Sequence, residues 1–63
     1  MPELSEREMK VLKVLSYGMS NQEIAHTLFV SSETVKTHVS SIIGKMGVKD
    51  RTQAVIKAIK AGL

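Results

Sequence analysis

Two segments of the chain repeat one arrangement, in which an apolar residue and a serine are followed three residues later by a glutamate and then by another apolar residue. They are Leu4-Ser5 with Glu8-Met9, and Met19-Ser20 with Glu23-Ile24. Each is a capping box with its hydrophobic staple: hydroxyl and carboxylate satisfy amides that a helix start leaves orphaned, and the flanking pair fixes how the chain enters the helix. Ser31, with Val30 and Val35 as its staple, marks a third start, and Asp50 with Gln53 marks a fourth. Gly18 and Gly47 stand where left-handed stops belong. The predicted helices are 6–17, 21–28, 32–46 and 51–62. Valine and isoleucine recur at helical spacing and never alternate over the length of a strand, so the predicted fold is all-α, a compact four-helix domain.

At 63 residues the chain has room for one small domain, 1–63, near the lower limit at which a single core offsets chain entropy. Its expected core is Leu12, Leu15, Ile24, Leu28, Val35, Val39, Ile42, Val55 and Ile59. There is no cysteine, which excludes disulfides, thiolate metal sites and a cysteine nucleophile. No apolar run reaches the length of a membrane span and no secretory signal opens the chain, so no membrane partner is expected and the predicted location is cytoplasmic. No H-E-x-x-H spacing, glycine-rich phosphate loop or paired carboxylates on one face occurs. The reading is therefore of a chain that is not an enzyme and has no metal, cofactor or small-molecule ligand in this domain.

Charge divides along the chain. Residues 1–33 carry three basic and five acidic residues, and residues 34–63 carry six basic and one acidic residue. A basic half points to a polyanion such as nucleic acid, although a solvated lysine-rich surface has the same composition. Within it, the segment TVKTHVSSIIGKM aligns Val35, Val39, Ile42 and Met46 on one side at about 100° per residue. Lys36, Thr37, Ser40, Ser41 and Gly44 spread over the other side. That outer face is short, rich in hydroxyls and nearly free of acid. Short side chains let a helix sit deep in a groove about 12 Å wide, and hydroxyls and a lysine suit base edges. His38, at the edge of the apolar stripe, is expected to be packed and hydrogen-bonded, and His26 to be exposed.

Residues 21–40, NQEIAHTLFVSSETVKTHVS, have the layout of a helix-turn-helix, with Ile24 and Leu28 as the stripe of its first helix and Ala25 small where the second must cross. That spacing alone leaves open helix-turn-helix proteins of many families and helical hairpins with no nucleic-acid role. The whole chain narrows the choice. Through LSEREMKVL, G-x-S-N-Q-E-I-A, TVKTHVSSI, K-x-G-V and DRTQAVIKAI, residues 4–63 resemble the LuxR/FixJ/NarL-type DNA-binding domain found at the C-terminus of many bacterial response regulators.

The resemblance implies a transcription regulator that binds double-stranded promoter DNA as a dimer, with the helix near 32–46 in the major groove. It implies base contacts at Lys36, Thr37 and Ser40, and a second copy of the chain on DNA as a partner, with RNA polymerase as a further one. Phosphate contacts are expected from the start of that helix at Ser32 and Thr34, from Asn21 with Gln22, and from Lys45 and Lys49. The family pairs two domains through the last helix, where Thr52, Ile56 and Leu63 lie outside the stripe that reaches the core. Glu8 and Arg51 both sit in apolar company, and the expectation is an ion pair between the first and last helices.

Two residues depart from the family pattern. Phe29 occupies a turn position where glycine is common, and Gly44 interrupts the recognition helix on its outward side. The usual receiver or sensing domain is not among these residues, so the expectation is either an effector domain excised from a longer regulator or a stand-alone one. Two other functional classes share parts of the pattern: the promoter-reading region of a sigma factor, against which the helix DRTQAVIKAI argues, and a helical module whose basic face binds an acidic protein.

Overall fold

The computed structural model describes residues 4–62. Four helices follow one another, α1 (Glu6–Ser16), α2 (Asn21–Leu28), α3 (Ser32–Met46) and α4 (Arg51–Lys60), each starting where its cap predicts. The Ser5 hydroxyl accepts from the Glu8 amide at 3.1 Å while the Glu8 carboxylate accepts from the Ser5 amide at 2.9 Å. The Ser20–Glu23 box repeats this at 3.2 and 2.9 Å, and its two bonds hold the Glu23 carboxyl below its ordinary pKa. Ser31 and Asp50 accept from the amides of Thr34 and Gln53.

The helices α2 and α3 end in the same hydrogen-bonded stop. Val30 donates to the Ala25 carbonyl and Val48 to that of Ile43, closing Schellman motifs whose pivot residue takes a left-handed conformation. At the end of α3 the pivot is Gly47, φ 68°, which has no Cβ to object. At the end of α2 it is Phe29, φ 58° and ψ 43°, at a cost of about 1 kcal/mol. The turn keeps its geometry without glycine.

The core joins Val11, Leu12 and Leu15 of α1, Ile24 and Ala25 of α2, Val35, Val39, Ile42 and Met46 of α3, and Ala54 and Ala58 of α4. Leu28 and Val55, expected inside, are half-buried, and Ile59 is 56% exposed. The reason lies in α4. It meets the core through Ala54 and Ala58, one helical turn apart, and such small residues let helix axes approach closely. The buried strip therefore lies to one side of the Val55–Ile59 line.

The predicted pair of Glu8 and Arg51 does not form. Glu8 is 4% exposed and faces α3, where its carboxylate accepts from the Lys45 ammonium at 2.7 Å and from the Ser41 hydroxyl. It keeps its capping bonds as well. The lysine, followed by Ser41 and the Ser5 amide, lowers the Glu8 pKa to about 2 against the opposing push of burial. Arg51 opens α4 beside the start of α2 and donates to the side-chain oxygen of Asn21 and to the Met19 carbonyl. Apolar company identified both residues as inward-facing, but each meets a different neighbour: Glu8 ties α1 to α3, and Arg51 ties α4 to α2.

Candidate nucleic-acid interface

Helix α3 is divided lengthwise. Val35, Val39, Ile42 and Met46 are buried, while Glu33, Lys36, Thr37, Ser40 and Gly44 are exposed on the opposite side. The exposed strip has no large apolar residue and no bulk toward its C-terminal end, where a Cβ added at Gly44 would meet nothing within 4 Å. The three residues expected to contact bases thus share one face, though their hydroxyls differ. Thr37 donates its hydroxyl to the Glu33 carbonyl at 3.0 Å, which turns its proton back into the helix. Ser40 makes no such bond among the described residues and presents both donor and acceptor.

The residues expected at phosphates are less uniform. Ser32 and Lys49 are exposed, with no side-chain partner among the described residues. Thr34 shares its hydroxyl with Ser31 at 2.9 Å and so completes the helix start. Asn21 gives its oxygen to Arg51, which leaves its amide protons to donate elsewhere. Lys45 is turned back onto Glu8, with its side chain 44% exposed.

Much of the basic half is in fact spent inside the fold. Lys57 donates to the Met46 carbonyl at 3.0 Å, closing the end of α3, and Lys45 and Arg51 are engaged as described. Within residues 34–62 this leaves Lys36, Lys49 and Lys60 with exposed ammonium groups and no bond among the described residues. A count of charges by sequence does not separate these two groups. The Glu8–Ser41–Lys45 clamp had a readable signal: Ser41 and Lys45 are one turn apart on the flank bordering the apolar stripe, where an inward-facing Glu8 could meet them. His26 is exposed, and His38 is half-buried but makes no side-chain hydrogen bond among the described residues, contrary to expectation.

On α4, Thr52 is exposed and Ile56 is 48% exposed. Ile59, assigned to the core by its spacing, joins them on the surface. Leu63, the third residue expected there, lies outside the described residues.

A half-exposed helix, tied to α1 from behind and preceded by a short helix and a tight turn, gives the architecture of a helix-turn-helix domain. Comparisons with known proteins agree. Residues 2–58 match the family model described as bacterial regulatory proteins, luxR family. The transcriptional regulatory protein LnrK of Bacillus subtilis (strain 168) is 51% identical over 61 residues, 97% of this chain and 28% of that protein. The response regulator VraR of Staphylococcus aureus (strain NCTC 8325 / PS 47) is 53% identical over 60 residues, 95% of this chain and 29% of that protein. Among solved structures, the transcription factor GerE superposes with a TM-score of 0.84 at 34% identity, over 94% of this chain and 88% of GerE. VqmA of Vibrio cholera, in a complex with ligand and DNA, superposes with a TM-score of 0.91 at 31% identity, over 98% of this chain and 27% of VqmA.

The chain belongs to the luxR family of bacterial regulatory proteins, as a DNA-binding helix-turn-helix domain. It spans under a third of the length of curated relatives such as LnrK and VraR.

Proposed function

We propose that the chain reads promoter sequence by laying the outer face of α3 in the major groove, as the output module of a two-component response regulator. The observation that carries this reading is the lengthwise division of α3, whose exposed strip combines Glu33, Lys36, Thr37, Ser40 and Gly44 while Val35, Val39, Ile42 and Met46 are buried. Lys36 suits the acceptors of guanine, Ser40 suits either donors or acceptors, and Thr37, with its proton turned away, offers a methyl group to thymine. Ser32, the amide protons of Asn21 and Lys49 serve the phosphates. Lys45 acts mainly by holding α3 to α1.

The relatives named as response regulators support the two-component context. Sequence-reading regulators commonly bind as dimers to paired half-sites, and Ile56 with Ile59 gives α4 an uncovered apolar flank beside Thr52 on which a second copy can rest. So small a flank holds two copies weakly, which makes DNA the template for pairing. Transcription then changes as DNA occupancy recruits or obstructs RNA polymerase. No bond is made or broken by the chain, and a protein that reads bacterial promoters works in the cytoplasm. No helix among the described residues is long and apolar enough to cross a membrane.

Titration of a duplex enriched by selection, against a scrambled duplex of equal length, tests the reading. Discrimination between the two should persist while both affinities fall with salt, and Lys49→Ala should reduce the salt slope by about one. Equal affinity for the two duplexes at every salt concentration would contradict it.

A further inference from the structure

From the position of Glu33 we infer a base-reading residue that selects cytosine at the base pair next to the guanine contacted by Lys36. The inference rests on the reading of α3 as the helix in the major groove. In α1 and α2 the third helical residue is a glutamate, Glu8 and Glu23, and it folds back onto its own cap. In α3 that place belongs to Thr34, which bonds Ser31 instead. The glutamate comes one residue earlier, so its carboxylate is not drawn into the cap.

Glu33 is exposed and its carboxylate has no hydrogen-bond or ionic partner among the described residues. It lies in line with Thr37, Ser40 and Gly44, one to three turns along the same strip, and beside Lys36. The Thr37 hydroxyl binds the Glu33 backbone carbonyl, leaving both carboxylate oxygens free. Glu33 is thus the only purely accepting side chain on a face that otherwise offers donors and hydroxyls.

A carboxylate brought against duplex DNA is repelled by phosphates and by the acceptor atoms of guanine and thymine. Only the amino groups of cytosine and adenine donate into the major groove, and adenine sets the acceptor N7 beside its amino group. Cytosine has no acceptor there and is the base that Glu33 fits. Lys36 as donor and Glu33 as acceptor, three residues apart, then read adjacent pairs through opposite chemistry. The same negative charge penalises every site that lacks the cytosine, so Glu33 sharpens discrimination while lowering affinity for arbitrary DNA.

Selection of this chain and its variants on a library of random duplexes tests the inference, with thermal melts run in parallel. The wild-type should enrich a motif with cytosine next to guanine. Lys36→Ala should erase the guanine preference, Glu33→Ala the cytosine preference alone, and Glu33→Gln should shift that position toward adenine, which a carboxamide pairs in bidentate fashion. A duplex altered only at the cytosine pair should cost the wild-type roughly tenfold in affinity and Glu33→Ala less than about threefold, while Glu33→Ala binds random duplex more tightly than the wild-type does. If Lys36→Ala loses guanine but Glu33→Ala keeps the wild-type motif and changes only its melting temperature, Glu33 merely stabilises the helix start and the inference is overturned. If the wild-type enriches no motif, the groove reading fails and takes this inference with it.

Discussion

Two regions of this domain carry a residue type where physical chemistry disfavours it. At the seam between α1 and α3 a carboxylate, Glu8, is buried. On the flank of α4, two isoleucines, Ile56 and Ile59, face solvent. The first mismatch is resolved within the chain: capping bonds, a hydroxyl and an ammonium surround the carboxylate, and no buried side-chain polar atom is left unsatisfied among the described residues. The second is left about half uncovered among the described residues. Internal satisfaction ties α3 to α1, and on the proposed reading the uncovered flank of α4 is what a second copy would use.

The sharpest break in this comparison should come at the seam. Removing the carboxylate in Glu8→Ala strands Ser41, Lys45 and the Ser5 amide together, and should lower the melting temperature by roughly 10 °C or more, a large effect for a domain of this size. Glu8→Gln should lose less, because it keeps an acceptor. If Glu8→Ala melts with the wild-type, the clamp contributes nothing and α3 is held by apolar packing alone.

Acid should weaken the same seam without mutation. The Glu8 carboxyl titrates near 2 in the fold, against an ordinary value of 4.5. Its contribution to stability is therefore complete above about pH 4.5 and disappears as pH falls toward 2. Thermal melts should show this loss in the wild-type, and the part due to Glu8 should be missing in Glu8→Gln. Parallel curves for the two proteins across that range would remove Glu8 from the acid response.

The α4 flank should respond in the opposite way. Replacing Ile56 and Ile59 together by glutamate removes no core contact of consequence, so stability should change by less than about 0.5 kcal/mol per site. Cooperative filling of a duplex with two half-sites one helical turn apart should be lost, with half-site affinity kept. Unchanged cooperativity in a gel-shift titration would move the pairing surface elsewhere.

Modest stabilisation is expected at Phe29 and Gly44. Phe29→Gly relieves the left-handed strain of a residue that is 94% exposed and should stabilise the domain by up to about 1 kcal/mol. Gly44→Ala should add about 1 kcal/mol through helix propensity, since nothing stands near its Cβ. If it also weakens DNA binding, the α3 backbone approaches DNA too closely there for a side chain.

Much of this was legible in the sequence because it is local. Caps, stops and staples act within five residues, so all four helix starts could be read, as could the division of α3. The errors are tertiary. Spacing assigned Ile59 to the core, but the closer approach allowed by Ala54 and Ala58 decided which side of α4 was buried. Apolar neighbours marked Glu8 and Arg51 as inward-facing, yet the partner of each depends on which helix lies across from it. For the same reason the sequence did not show that the Lys45 ammonium, expected at a phosphate, is held by Glu8.

The role of the exposed strip is tested most directly at Lys36, by measuring the affinity of wild-type and Lys36→Ala for a selected duplex and for random DNA at two salt concentrations. A lysine that reads a base should cost about 1–3 kcal/mol on the selected duplex and much less on random DNA when it is removed. It should do so with the fold intact, because its side chain is exposed. An equal loss on both duplexes, vanishing at high salt, would make Lys36 a phosphate contact and contradict α3 as the helix that reads sequence.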